Sequence, residues 1–293
     1  MRRGRYYLAR VIKLGQLNQE KLLDAIAQAP IVVLGQFEWT ITDVVDRRYS
    51  NTPYIFGNLA KYSRDGEVTI VNEPAKQQRQ ARAPYLLEAS APFVYLPEFS
   101  GLAFLHVWNG IQEDIFPRRF KSIIESAYDN FFVGCTVEPV ADYRAFLEKL
   151  QSLDIITELS AKVHPPNPLF GRLWGGLDKY VRRRQADEVS VRETTNKPKG
   201  LSTQLIELIE HILENPSYEP VDEPDITDAA LLMAADGYGS GKAVGTEDGH
   251  DVVIRTSESQ KSFLFDKKPD PEMLAALARG HFERVSSERD MRH

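Results

Sequence analysis

Residues 235–254, ADGYGSGKAVGTEDGHDVVI, gather five glycines around one lysine. Whether they form a phosphate loop or a helix end followed by a hairpin bears directly on the class of fold. A Walker loop needs a glycine five positions before its Gly-Lys pair and a Ser or Thr directly after the lysine. Asp236 and Ala243 stand at those positions. A dinucleotide-binding turn needs strand, glycines, then helix, so that the helix N-terminus meets the pyrophosphate. Here the order is reversed: TDAALLMAAD (227–236) reads as a helix and precedes the glycines, while HDVVIRTS (250–257) reads as a strand and follows them. Gly237 therefore suits a left-handed helix cap. Residues 241–244 and 250–256 read as two strands joined by the TEDG turn.

Working outward, residues 131–215 alternate regularly. FFVGCTVEPV, DIITELSAKVHP and DEVSVRETT read as strands, separated by the helical stretches ADYRAFLEKLQSL, NPLFGRLWGGLDKYVRRR and STQLIELIEHILEN. This spacing predicts an α+β fold, a single mixed sheet with helices packed on it, plus a C-terminal helix-hairpin region. Earlier in the chain, Asn18 is placed to cap a helix whose apolar face is Leu22, Leu23, Ile26 and Ala27. IVVLGQFEWTITDVVDRR (31–48) reads as one long or two short strands, and RDGEVTIV (64–71) as a turn before another strand. PAKQQRQARAP (74–84), polar, basic and bracketed by prolines, reads as an exposed loop or a short helix. APFVYLPEF and GLAFLHVWNG form a hairpin turning at Ser100-Gly101, followed by a helix at 117–129 with Pro117 in its first turn. The proline-rich acidic stretch 216–228 is the best linker, which divides the chain into an N-terminal α+β part (1–130), a basic centre (131–215) and an acidic C-terminal part (216–293).

The chain of 293 residues is 42% hydrophobic, enough for a packed core. It contains no long apolar span and no leader-like N-terminus, so a cytoplasmic location without membrane insertion is expected. The lone Cys135 sits among apolar neighbours and reads as a buried strand residue. The net charge of −6 is unevenly spread: residues 1–200 carry 27 Lys/Arg against 23 Asp/Glu, and residues 201–293 carry 9 against 19. A local positive field can therefore coexist with an acidic whole.

Catalytic groups do not assemble. No two histidines have metal-ligand spacing, no nucleophile elbow is present, and Glu73 and Lys76 are one residue too far apart for a nuclease core. Neither a metal nor a cofactor is expected. The basic clusters are the stronger lead. Arg172, Lys179, Arg182, Arg183, Arg184, Arg192, Lys197 and Lys199 fall within one short region, with Arg118, Arg119 and Lys121 as a second patch. Cations set among Tyr180, Trp174 and other aromatics suit phosphate contact by charge and stacking. No helix-turn-helix, zinc finger or RNA-binding signature accompanies them, so contact would be to the backbone.

The order of FGNLAKYSRDGEVTIV (56–71), APFVYLPEFSGLAFLHVWNGI (91–111), FPRRFKSII (116–124), VEPVADYRAFLEKLQSLDIITELSAKVHPPNP (137–168), DEVSVRETTNKPKG (187–200) and the closing helix-hairpin resembles that of the RexA-like phage-exclusion family of prophage-encoded defence proteins. The resemblance spans residues 30–265. It implies a non-enzymatic DNA-binding homodimer that senses phage DNA intermediates and signals to an effector encoded nearby, with the acidic C-terminal part turned away from the duplex or toward a protein partner. Two alternatives stand beside it. One is a divergent metal-dependent nuclease or nucleotide-dependent toxin using the glycine-rich stretch or carboxylates such as Glu73 and Asp114. The other is an interaction protein whose acidic part binds a basic partner.

Overall fold

The computed structural model describes residues 2–72, 74, 76–164 and 175–289, without the side chains of Asp178 and Arg182. In chain order the elements are β1 (Arg3–Gly15), α1 (Gln19–Ala27), β2 (Val32–Leu34), β3 (Phe37–Asp46), β4 (Ile55–Asn72), β5 (Gln77–Leu96), β6 (Gly101–Leu105), α2 (Ile115–Ser126), β7 (Val133–Pro139), α3 (Tyr143–Gln151), β8 (Ile155–Val163), α4 (Gly175–Arg184), β9 (Val189–Thr194), α5 (Leu205–Glu214), α6 (Ile226–Met233), β10 (Gly239–Glu247), β11 (His250–Arg255), β12 (Ser262–Asp266) and α7 (Pro271–Glu288). The α+β class holds. The single mixed sheet is corrected: the strands form two sheets, and every strand pairing among the described residues is antiparallel. The physical reason is that β7, β8 and β9 do not line up as neighbours: β7 joins β1, while β8 and β9 pair with each other and β8 also pairs with β10.

The larger sheet runs β12-β1-β6-β5-β4-β3-β2. The length of β1 lets one edge hold two partners, β12 along Arg3–Tyr7 and β7 along Ala9–Gly15, while β6 takes the other edge. The smaller sheet runs β11-β10-β8-β9. Pairing therefore links segments on both sides of residues 130 and 215.

Because successive side chains leave a strand on opposite faces, the larger sheet feeds two cores. Ala9, Val11, Phe93, Tyr95, Leu102 and Phe104 meet α1 and α2 on one face, where Phe93 lies edge-on to Phe116 and Phe120 at 5.6 Å each. Tyr6, Leu8, Val94, Leu96, Ala103 and Leu105 point the other way, toward α3, α5, α6, α7 and the inner face of the smaller sheet.

Local signals behave as their chemistry requires. Asn18 Oδ1 accepts from the Lys21 N–H at 2.8 Å and starts α1. The β5–β6 hairpin turns through a short 3₁₀ segment, Pro97–Phe99, and Ser100 at φ 46°. After α6 the helix ends in a π-type turn whose Gly237 has φ 86°, and β10 and β11 follow as a hairpin closed by Asp248-Gly249. Cys135 lies buried in β7, where burial pushes its thiol up to about 12.

Two expectations fail in one place. Asp65-Gly66 is no turn, because β4 runs straight through it, and residues 77–84 are strand, not loop or helix. Residues 65–72 of β4 pair one to one with 77–84 of β5, beyond the last partner that β3 offers at Tyr62. The cause is long-range pairing, which overrides the polar, proline-flanked composition of residues 74–84.

A buried charged cluster ties the elements together. Asp236, in the π-type turn, pairs with Arg289 at the end of α7 and accepts from the Tyr143 hydroxyl of α3 at 2.9 Å. Arg10 of β1 donates to the Asp236 carbonyl at 2.9 Å and to the Phe99 carbonyl at 2.6 Å.

Candidate nucleic-acid interface

The outer face of the smaller sheet concentrates cations from strands far apart in the chain. Leu159, Ala161 and Val163 of β8 are buried, so the alternation sends Glu158, Ser160 and Lys162 outward. Register then sets the neighbours: Lys242 of β10 and Arg192 of β9 stand opposite Ser160 on either side, and Arg255 of β11 stands opposite Lys242. The result is a row across four strands, Arg255, Lys242, Ser160, Arg192, roughly 14 Å long at about 4.8 Å per strand spacing. Beside it runs a second row, Ser240, Lys162, Ser190. Between the rows lies an open groove of about 370 Å³, lined among others by Ser160, Lys162, Ser190, Ser240, Lys242 and Arg255.

The cations are held by acids at the rim. Glu158 accepts from Arg192 at 2.7 Å and from Lys242 at 2.9 Å, and these bonds hold its carboxyl below the usual carboxylate range. Lys162 pairs with Glu188 at 2.9 Å, and Arg255 with Glu258 at 3.2 Å. All four cations remain substantially exposed. Exposed pairs of this kind contribute about 0–1 kcal/mol each, so an incoming phosphate competes with them at little cost. The serine hydroxyls add donors that suit phosphate oxygens.

Of the residues expected from sequence, Arg192 lies in this row. Arg183 and Arg184 flank the Tyr180 ring at the end of α4, with centroid distances of 5.9 and 5.8 Å. A short turn leads from there into β9 at the end of the sheet where Lys162 faces Ser190. Lys197 and Lys199 are exposed in the loop leaving the other end of β9. Lys179 is tied to Glu223, which holds the acidic stretch before α6 against α4. Arg172 and the side chain of Arg182 lie outside the described residues, as does Glu73.

The second patch is not brought together with the first. Arg118, Arg119 and Lys121 belong to α2, on the face of the larger sheet opposite the smaller one. Arg118 pairs with Asp114, Lys121 lies 3.7 Å from Glu125, and the Arg119 guanidinium covers the Trp39 ring at 5.1 Å. These cations are engaged locally in pairing and packing.

Sequence reasoning missed Lys162, Lys242 and Arg255. Alternation along β8 signals that Lys162 faces outward, but nothing local says that β10 and β11 lie beside it. Lys242 is the lysine of the glycine-rich stretch. It forms no phosphate loop, yet it sits in the cationic row with Gly241 lining the groove. Among the described residues no three His, Cys, Asp or Glu side chains are grouped to hold a metal, and no helix is long and apolar enough to cross a membrane.

A family described as "Domain of unknown function (DUF4747)" matches residues 19–214. The curated proteins contain no match to the chain.

Proposed function

We propose that this chain, which belongs to the DUF4747 family through a match over two thirds of its length, is a non-enzymatic protein that grips the phosphate backbone of DNA without reading its sequence. The observation that carries this reading is the row of Arg255, Lys242 and Arg192 on the outer face of the smaller sheet, with Lys162 and three serines beside it. Four exposed cations, drawn from four strands and held only by exposed or shared ion pairs that phosphate can replace, stand together here on an open surface, the arrangement that backbone contact uses. The setting we propose, phage exclusion by a homodimer that signals to a partner effector, rests on the resemblance to RexA-like proteins.

The test is fluorescence anisotropy with labelled random-sequence duplex and single strands across a salt series. Wild type binds without sequence preference and loses affinity steeply with salt. Arg192→Ala combined with Lys242→Ala lowers the magnitude of the log–log salt slope by about 2, because each neutralised duplex phosphate carries about 0.9 of slope. Glu158→Gln removes the competing internal anion and tightens binding several-fold. A wild type that does not bind at low salt sinks the function. Wild-type behaviour in both variants moves the site elsewhere, and metal-dependent cleavage of the probe returns the enzyme alternative.

A further inference from the structure

Beyond Tyr62 the β4–β5 pair leaves the larger sheet and continues alone as a two-stranded ribbon. Residues 63–72 extend it by about 33 Å at about 3.3 Å per residue. Neither core includes any residue from 63 to 88. Val71 and Leu87 are 64% and 57% exposed. An isolated two-stranded ribbon is marginal in water, so an arm of this length is a feature that needs an occupant.

Its composition selects one. The returning strand begins KQQRQAR (76–82), with three cations and no acid. Lys76, Arg79 and Arg82 form no ion pair with any described residue, in contrast to the paired cations of the smaller sheet. Arg82 faces Glu67 and Arg79 faces Ile70 in the register, and positions three apart leave a strand on opposite faces. The open edges are poor templates for another chain's strand. Pro84 withholds a donor, Tyr85 breaks the regular backbone at φ 55°, and charges line the outer strand.

We infer that this ribbon lies in the major groove of duplex DNA, an inference that rests on the proposed backbone-binding function. A major groove about 12 Å wide admits a two-stranded ribbon. Set edge-on, the ribbon turns Arg79 toward one flanking phosphate strand and Arg82 toward the other, while Lys76 reaches phosphate at the tip. Gln77 shares the face of Arg79, and Gln78 and Gln80 share that of Arg82. Their amides add neutral donors toward the same phosphate strands, which fits binding without a defined site.

The test uses the full chain, duplex and single-stranded probes across a salt series, and dimethyl sulfate protection of guanine N7, which lies in the major groove. Two variants are compared: Lys76→Ala/Arg79→Ala/Arg82→Ala, and a shortened ribbon in which Asn-Gly replaces residues 67–82. Circular dichroism and the melting midpoint verify that both fold. The expected result is a duplex salt slope lower in magnitude by about 2–3 in the triple variant, at about 0.9 for each phosphate, with loss of guanine protection in both. A wild-type slope and wild-type protection in both variants overturn the groove assignment, and leave the backbone-binding function standing if the Arg192/Lys242 variant still binds more weakly. Conversion of a dimer to a monomer by the shortened ribbon, with DNA binding unchanged, also overturns it and makes the ribbon a dimerisation arm. If wild type fails to bind DNA at all, the function and this inference fall together.

Discussion

Asp236 departs from the glycine that a phosphate loop requires, which excludes the Walker reading, but nothing in the sequence says that its carboxylate is buried between Arg289 and Tyr143 with Arg10 on the adjoining carbonyl. Those partners are 53, 93 and 226 positions away in the chain. Removing one member of a buried pair leaves the other as an uncompensated charge, which costs about 3–5 kcal/mol. Asp236→Asn is therefore expected to destabilise the protein by that amount, read as a lower midpoint in urea at unchanged m-value. Tyr143→Phe removes a single donor and is expected to cost about 1–2 kcal/mol in the same measurement. If Asp236→Asn costs no more than Tyr143→Phe, the cluster is not the buried ion pair described.

At the scale of elements, what is legible follows the range of the signal. The Asn18 cap, the Ser100-Gly101 turn and the Gly237 helix end depend on side chains within a few residues, and all three form where their chemistry places them. The β4–β5 ribbon is illegible because its strand character comes from partners rather than from propensity: Gln, Arg and Ala alternate without an apolar face. Gly66 has the sequence setting of a turn residue, but it serves close packing. A Cβ there would lie 2.3 Å from Leu86 Cβ and 2.7 Å from the Ala83 carbonyl oxygen. Gly66→Val should therefore open the ribbon without touching either core. Trypsin should cut at Arg79 and Arg82 at least several-fold faster, with the melting midpoint unchanged, because local opening and global unfolding draw on different contacts. Equal cleavage rates would show that the ribbon tolerates the side chain and that the close approach is not what Gly66 serves.

Across the whole molecule, the charge segregation seen along the chain does not survive folding. The acidic last third supplies Lys242 and Arg255 to the cationic row, and its β12 and α7 close the larger sheet. On α7, His281 stacks on Phe263 of β12 at 4.5 Å, and burial, followed by Arg284 and Lys261, pushes its pKa down to about 4. A histidine with a folded pKa below its unfolded value of about 6.5 binds more protons when unfolded. Stability should therefore rise with pH between about 4 and 6.5 and level off above. His281→Phe keeps the ring stack and should flatten this part of the curve, followed as urea midpoint against pH. An unchanged slope would show that His281 is not its source; Glu158, whose lowered pKa acts in the same direction, does so only at the acid end, within and below the ordinary carboxylate range.

The amino-acid order by itself determined the α+β class, most element types, the caps and turns, the buried cysteine and the exclusion of a phosphate loop. These rest on side-chain periodicity and on hydrogen bonds within a turn or two, which a linear sequence displays directly. Only the tertiary structure decided that there are two antiparallel sheets, that residues 77–84 are a strand, that α2's cations lie on the opposite face from Arg192, and that Lys162, Lys242 and Arg255 join it. Each of these depends on which strand lies beside which. Pairing is chosen by the joint burial of both cores across separations of up to the whole chain, and no local window of sequence contains that information.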